Sequence, residues 1–180
     1  MIRHEDIRDL VFAWGLREDV VEKDYVIGWV LWGIGSDPEL SISWVFKGGT
    51  CLKKCFIETY RFSEDLDFTI LPGGPIRPEE VNEIIGRILS RVAAESGIDF
   101  SVRAPRFRGR DAPLSTEGRI YFRGPRGATT PASIKLDLNG QEKVVRPSVL
   151  RKISHPFPDS LPPGDIRCYN QSAVHSRLCN

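Results

Sequence analysis

The sequence predicts an α+β domain, a mixed β-sheet with helices packed on it. Three observations carry that expectation. Helical spacing dominates the first third of the chain, two-residue alternation recurs later, and strands alternate with helices early but cluster towards the end. The composition is that of an ordinary globular chain, with 41% hydrophobic and 27% charged residues in 180. Global disorder, collagen-like repeats and a fibrous rod are excluded. A chain of this length can bury a core without covalent or metal staples.

Ile7, Leu10, Val11 and Trp14 follow the three-to-four spacing of an amphipathic helix, which Gly15 ends. A second helix is expected from about Arg17 to Trp32, and a short buried strand at Trp44-Val45-Phe46. Gly48-Gly49 is then a turn, and Thr50 caps a third helix running to about Tyr60. Asp65 to Leu71 alternates as a strand, with Leu66, Phe68 and Ile70 on one face and Asp65, Asp67 and Thr69 on the other. A fourth helix, Pro78 to Ser96, carries the stripe Val81, Ile84, Ile85, Ile88, Leu89 and Val92. Further strands are expected at Ile98 to Arg103, Arg119 to Arg123 and Ser133 to Leu138, with a weaker one at Lys143 to Arg146. Residues 1–153 make the folded domain in this reading, and 154–180 a Pro-rich, irregular tail.

The chain is close to neutral, with 25 Lys+Arg against 24 Asp+Glu. Its basic charge is nevertheless concentrated: seven arginines and two acids lie between Arg103 and Arg126. That segment, with Phe107, Tyr121 and Phe122 interleaved, is either an RNA-binding face or a solvated loop with a strand behind it. Cys51 and Cys55 stand one helical turn apart, whereas Cys168, His175 and Cys179 are loosely spaced. Neither zinc-type spacing is present, so buried small thiols are the expected role. The N-terminal stretch Met1 to Asp9 is charged, and the longest apolar run, Val26 to Ile34, is too short to cross a bilayer. A soluble cytoplasmic protein with reduced thiols and no membrane partner is expected.

Two segments carry chemistry: FKGGT at 46–50 and RFSEDLDF at 61–68. A strand that ends in two glycines and a hydroxyl residue at a helix start presents backbone N–H groups to an anion. Lys54 lies one turn further on, within reach of a phosphate oxygen. By itself such a turn can merely join two elements. Asp65 and Asp67 project from one face of their strand, where mutual repulsion favours a hard divalent cation between them; an edge strand with a solvated acidic face is the alternative. Asp137, mid-strand between Leu136 and Leu138, supplies a third carboxylate. If its strand neighbours that of Asp65 and Asp67, the three acids can hold two metal ions for phosphoryl or nucleotidyl transfer.

In this order (strand, Gly-Gly-Thr, helix, Asp-x-Asp, later Asp) the chain resembles the polymerase-beta-type nucleotidyltransferase superfamily. FKGGTCLKKCF and RFSEDLDF, with VEKDY at 21–25 and IKLDL at 134–138, are similar to the AbiEii/AbiGii nucleotidyltransferase toxins, including MenT-like enzymes. The resemblance covers roughly residues 17–150. It implies that Gly48, Gly49 and Thr50 bind the triphosphate of a nucleoside triphosphate (NTP), that Lys54 contacts phosphate, and that Arg61 and Ser63 support the site. It also implies that Asp65, Asp67 and Asp137 ligate Mg2+ or Mn2+, with Asp137 near the acceptor hydroxyl. Glu22, Lys23 and Asp24 match a family motif that is either catalytic or a helix-packing ion pair. A tRNA 3′ end or a protein side chain is the implied acceptor, and an antitoxin the implied partner. Family members commonly continue past a segment resembling Ile166-Arg167-Cys168-Tyr169 into a helical lobe. Here NQSAVHSRLCN follows instead, and the expectation is a truncated chain without that lobe. Two other activities fit the same residues: a catalytically silent module that binds nucleotide, RNA or antitoxin, and a metal-dependent nuclease, which gives the Gly-Gly-Thr turn no purpose.

Overall fold

The computed structural model describes residues 1–57 and 63–170. Arg61 and the C-terminal His175 and Cys179 lie outside the described residues. The chain forms α1 (His4–Trp14), α2 (Glu18–Gly35), the single turn α3 (Leu40–Ser43), β1 (Trp44–Lys47), α4 (Gly48–Cys55), β2 (Asp65–Ile70) and α5 (Pro78–Ser96). Five strands follow: β3 (Arg106–Gly109), β4 (Ser115–Phe122), β5 (Ala132–Asn139), β6 (Val149–Lys152) and β7 (Asp165–Cys168). All seven strands join one mixed sheet in the order β3-β4-β5-β2-β1-β7-β6. Among the described residues, β2–β5 and β1–β7 pair in parallel and the other neighbours antiparallel. The expected mixed sheet flanked by helices is therefore present.

One face of the sheet is apolar. Phe46, Leu66, Phe68, Ile120, Ile134 and Leu136 on its central strands are fully buried. Burying such side chains is worth about 1.5–3 kcal/mol each. The helices α2 and α5 cover this face. The α5 stripe is buried as expected from its spacing. The second helix is buried almost all round from Val21 to Ile34, because α1, α5 and the sheet all pack on it. Gly33 permits the α2–α5 approach: a Cβ there would stand 2.6 Å from Val92 Cγ2 and 2.7 Å from Ile88 Cγ2.

Four local expectations need correction. Ile98 to Arg103 is not a strand; Asp99 makes an isolated bridge to Arg123, and the edge strand β3 begins at Arg106. Lys143 to Arg146 is irregular, and the strand lies further on, at Val149–Lys152. The tail expected to be irregular contains β7, whose Ile166 and Cys168 are buried and which lies between β1 and β6. A four-residue strand is too short to show a period of its own; its position comes from pairing with β1. Finally, α4 begins at Gly48 with Lys47 at its N-cap, so Thr50 sits inside the first turn and is not the cap.

Candidate active site

The opposite face of the sheet is polar, and strand register places the acids on it. In the parallel β2–β5 pair Asp67 stands opposite Asp137, and Asp65 opposite Lys135. Paired residues point to the same face, so Asp137 lies beside Asp67, with Asp65 two positions along β2. The row continues in both directions: Lys47 of β1 pairs with Asp67, Glu117 of β4 with Asp137, and Arg108 of β3 with Glu117. Five strands thus align three adjacent carboxylates between two cations.

The glycine turn meets this row. Gly48 has φ +78°, in the region that favours glycine, and a Cβ on it would stand 2.6 Å from Asp67 Oδ2. The backbone of the first turn of α4 therefore lies against the Asp67 carboxylate, where any side chain would obstruct it. The Thr50 hydroxyl donates to the Asp65 carbonyl at 2.6 Å, pinning the helix start to the start of β2. Ser63 Oγ lies 3.6 Å from the Cβ position of Gly49. Amides in the first turn of a helix lack intrahelical acceptors, so Gly48, Gly49 and Thr50 offer an anion cradle beside the acids.

The three acids differ in their surroundings. Asp137 accepts from Lys135 Nζ at 2.7 Å and from Arg110 Nη1 at 3.3 Å. Arg110 also reaches Glu117, as does Arg108 at 2.6 Å. Among the described residues Asp65 and Asp67 form no ion pair. Burial, with Asp137 and Asp65 nearby, pushes the Asp67 carboxyl above its ordinary value, against the pull of Lys47 and Lys135. A half-buried carboxylate that is repelled by two others and lacks a direct cation suits a hard divalent ion, and the oxygen-only donor set fits Mg2+ or Mn2+.

Lys54 is directed elsewhere. It is 1% exposed, and its Nζ donates to Asp24 Oδ2 at 2.7 Å and to the Asp24 carbonyl at 2.9 Å. Lys53 pairs with the same carboxylate. Burial alone would raise the Asp24 carboxyl, yet Lys54 and Lys53 beside it hold it below the ordinary range. Burial lowers Lys53 to about 8.

The Glu22-Lys23-Asp24 triplet thus splits three ways. Glu22 accepts the Arg126 backbone N–H at 2.8 Å, Lys23 pairs with Glu64 just before β2, and Asp24 holds α4. Of its two readings, packing by buried ion pairs is the one observed for Asp24. Sequence reasoning missed Arg110 and Glu117 as neighbours of the acids. The alternation of 115–122 was the available signal for Glu117.

Beside the acids, a cleft of about 840 Å3 is lined by Arg103, Arg106, Arg108, Arg119, Tyr121 and Lys135, among others. Arg103 stacks on the Tyr121 ring at 4.3 Å. The other two aromatic residues of this segment belong to the core, Phe122 at 0% and Phe107 at 8% exposure. Its arginines are not uniformly available: Arg123 pairs with Asp99, and Arg126 with Glu18 and Glu22.

No helix of the described residues is long and apolar enough to cross a membrane. No curated protein matches the chain. The family model described as "Nucleotidyl transferase AbiEii toxin, Type IV TA system" matches residues 29–174, a span that includes the glycine turn, all three acids and β7. The chain belongs to the AbiEii family of nucleotidyltransferase toxins of type IV toxin–antitoxin systems.

Proposed function

We propose that the protein is a metal-dependent nucleotidyltransferase of polymerase-beta type that moves a nucleoside monophosphate from an NTP to a hydroxyl of RNA, with a tRNA 3′ end as the favoured acceptor. One observation carries the reading: Asp67 stands in register with Asp137, and the Gly48 backbone closes on the Asp67 carboxylate. Gly48, Gly49 and Thr50 hold the outer phosphates through backbone amides. Asp65, Asp67 and Asp137 would hold Mg2+, which supplies charge neutralisation at the phosphates and an acceptor of lowered pKa. The acceptor oxygen bonds to the α-phosphorus while the bond to the bridging oxygen breaks, and pyrophosphate departs with that oxygen. Asp137, on the side of the arginine cleft, takes the hydroxyl proton. Lys54 serves by fixing α4 against α2. Arg103, Arg106 and Arg119 guide the RNA backbone. The family description adds an antitoxin as partner.

The test is incubation of the full chain with each labelled NTP, Mg2+ and total tRNA. Label on RNA with release of pyrophosphate is expected. RNA hydrolysis without added nucleotide would identify a nuclease. Nucleotide binding without transfer would identify a silent module, a reading favoured by one observation: Lys135 and Arg110 already engage both oxygens of Asp137.

A further inference from the structure

Away from the acids, the inner end of α4 meets β7 through sulfur. Cys51 and Cys55 share one face of α4, and Cys168 reaches them from a strand more than a hundred residues later. The three Sγ atoms all lie within 4.8 Å of one another. Cys51 and Cys168 are fully buried, Cys55 is half-buried, and all three are free thiols. No His, Asp or Glu among the described residues completes this group.

Isolated buried cysteines act as small hydrophobes, and two thiols in contact can be incidental. Three converging from two elements form a ligand set. At a metal–sulfur distance of about 2.3 Å, tetrahedral geometry places sulfurs roughly 3.8 Å apart. The present trio, with all three Sγ atoms within 4.8 Å of one another, stands close to that spacing. An all-sulfur set selects soft ions over the hard ions suited to the carboxylates on the open face.

We propose that Cys51, Cys55 and Cys168 bind one soft d10 metal ion, Zn2+ or Cu+, which clamps the cradle helix to β7. The site is independent of the transfer reaction, and its readout is spectroscopic.

The test uses the full chain, reduced, stripped of metal and titrated with Co2+ as an optical probe. One equivalent should produce a thiolate-to-cobalt charge-transfer band. Displacement by Zn2+, or by Cu+ in a parallel anaerobic arm, identifies the preferred ion. Cys55→Ser, at a half-buried position, should lose the band while the far-ultraviolet circular dichroism stays unchanged. Cys168→Ser should lose it too. If that variant fails to fold, slower alkylation of wild-type Cys55 in the presence of Zn2+, mapped by mass spectrometry, provides the second measurement. Absence of the band at one equivalent, its survival in Cys55→Ser, or an alkylation rate indifferent to metal would each overturn the proposal.

Discussion

Two clusters of charge lie on either side of α4, and they are built on opposite principles. Behind the helix, Asp24 is 3% exposed and meets two ammonium groups, with a second hydrogen bond from Lys54 to its own carbonyl. In front of it, Asp67 faces two further carboxylates and no direct ion-pair partner among the described residues. The first arrangement is compensated, and its work is to hold α2 and α4 together. In the second, Asp67 is left without such a partner, and its repulsion from the neighbouring carboxylates is one that a divalent cation would relieve. Burial alone does not separate Asp24 from Asp67; the sign of their nearest charged neighbours does.

The largest expected effect breaks the compensated cluster. Asp24→Ala strands two buried ammonium groups and should cost about 3–5 kcal/mol, read as a shift in the urea midpoint. A loss below about 1 kcal/mol would mean that the network is not structural. Next, Asp65→Asn or Asp67→Asn should lower transfer by at least about 10²–10³-fold, the scale of removing one transition-state stabiliser. The fold should remain as stable as before or slightly more so. Full transferase activity in either variant would remove the metal-site assignment.

A smaller effect concerns the arginine cleft. Replacing Arg103, Arg106 and Arg119 together should weaken RNA binding and reduce the slope of log K against log salt by about 2, if each contacts one phosphate of a single strand. Arg108 and Arg110 are poorer choices because they already pair with Glu117 and Asp137. An unchanged slope would separate RNA from this face.

The smallest effect is in pH, where the two clusters pull in opposite directions. Asp24 is held low, so its stabilisation is present above the usual aspartate pKa and lost as pH falls through its folded value. Asp67 is held high, so the metal-free fold binds more protons than the unfolded chain between the usual value and the folded one. Its contribution to stability therefore grows as pH falls through that window. Urea titrations without metal should show Asp67→Asn more stable than wild type at neutral pH, with the gap closing towards about pH 4. A pH-independent gap would contradict the repulsion.

Much of this contrast was legible in the letters. The alternation of 65–70 and 132–139 gave the facing of all three acids, because a strand sorts its side chains by parity. The α5 stripe was equally readable. The role of Lys54 was not: its partner Asp24 is thirty residues upstream, and no local pattern states which way a lysine on a short helix will turn. For β7 the deciding interaction is pairing with Phe46 and with Val149, both remote in sequence. The sequence also left open which strand would neighbour β2, and only that pairing brings Asp137 to Asp67.

That pairing has a consequence for how the chain can vary in length. Gain or loss of one residue inside β5, upstream of Asp137, would turn the carboxylate inward and send its aliphatic neighbours to the solvent, an exchange with no partial form. Changes of length would instead be absorbed where no ladder runs, as in the largely exposed stretch 143–147. Descendants of this chain are free to drift at such joints, while the tally of residues within each paired segment stays fixed.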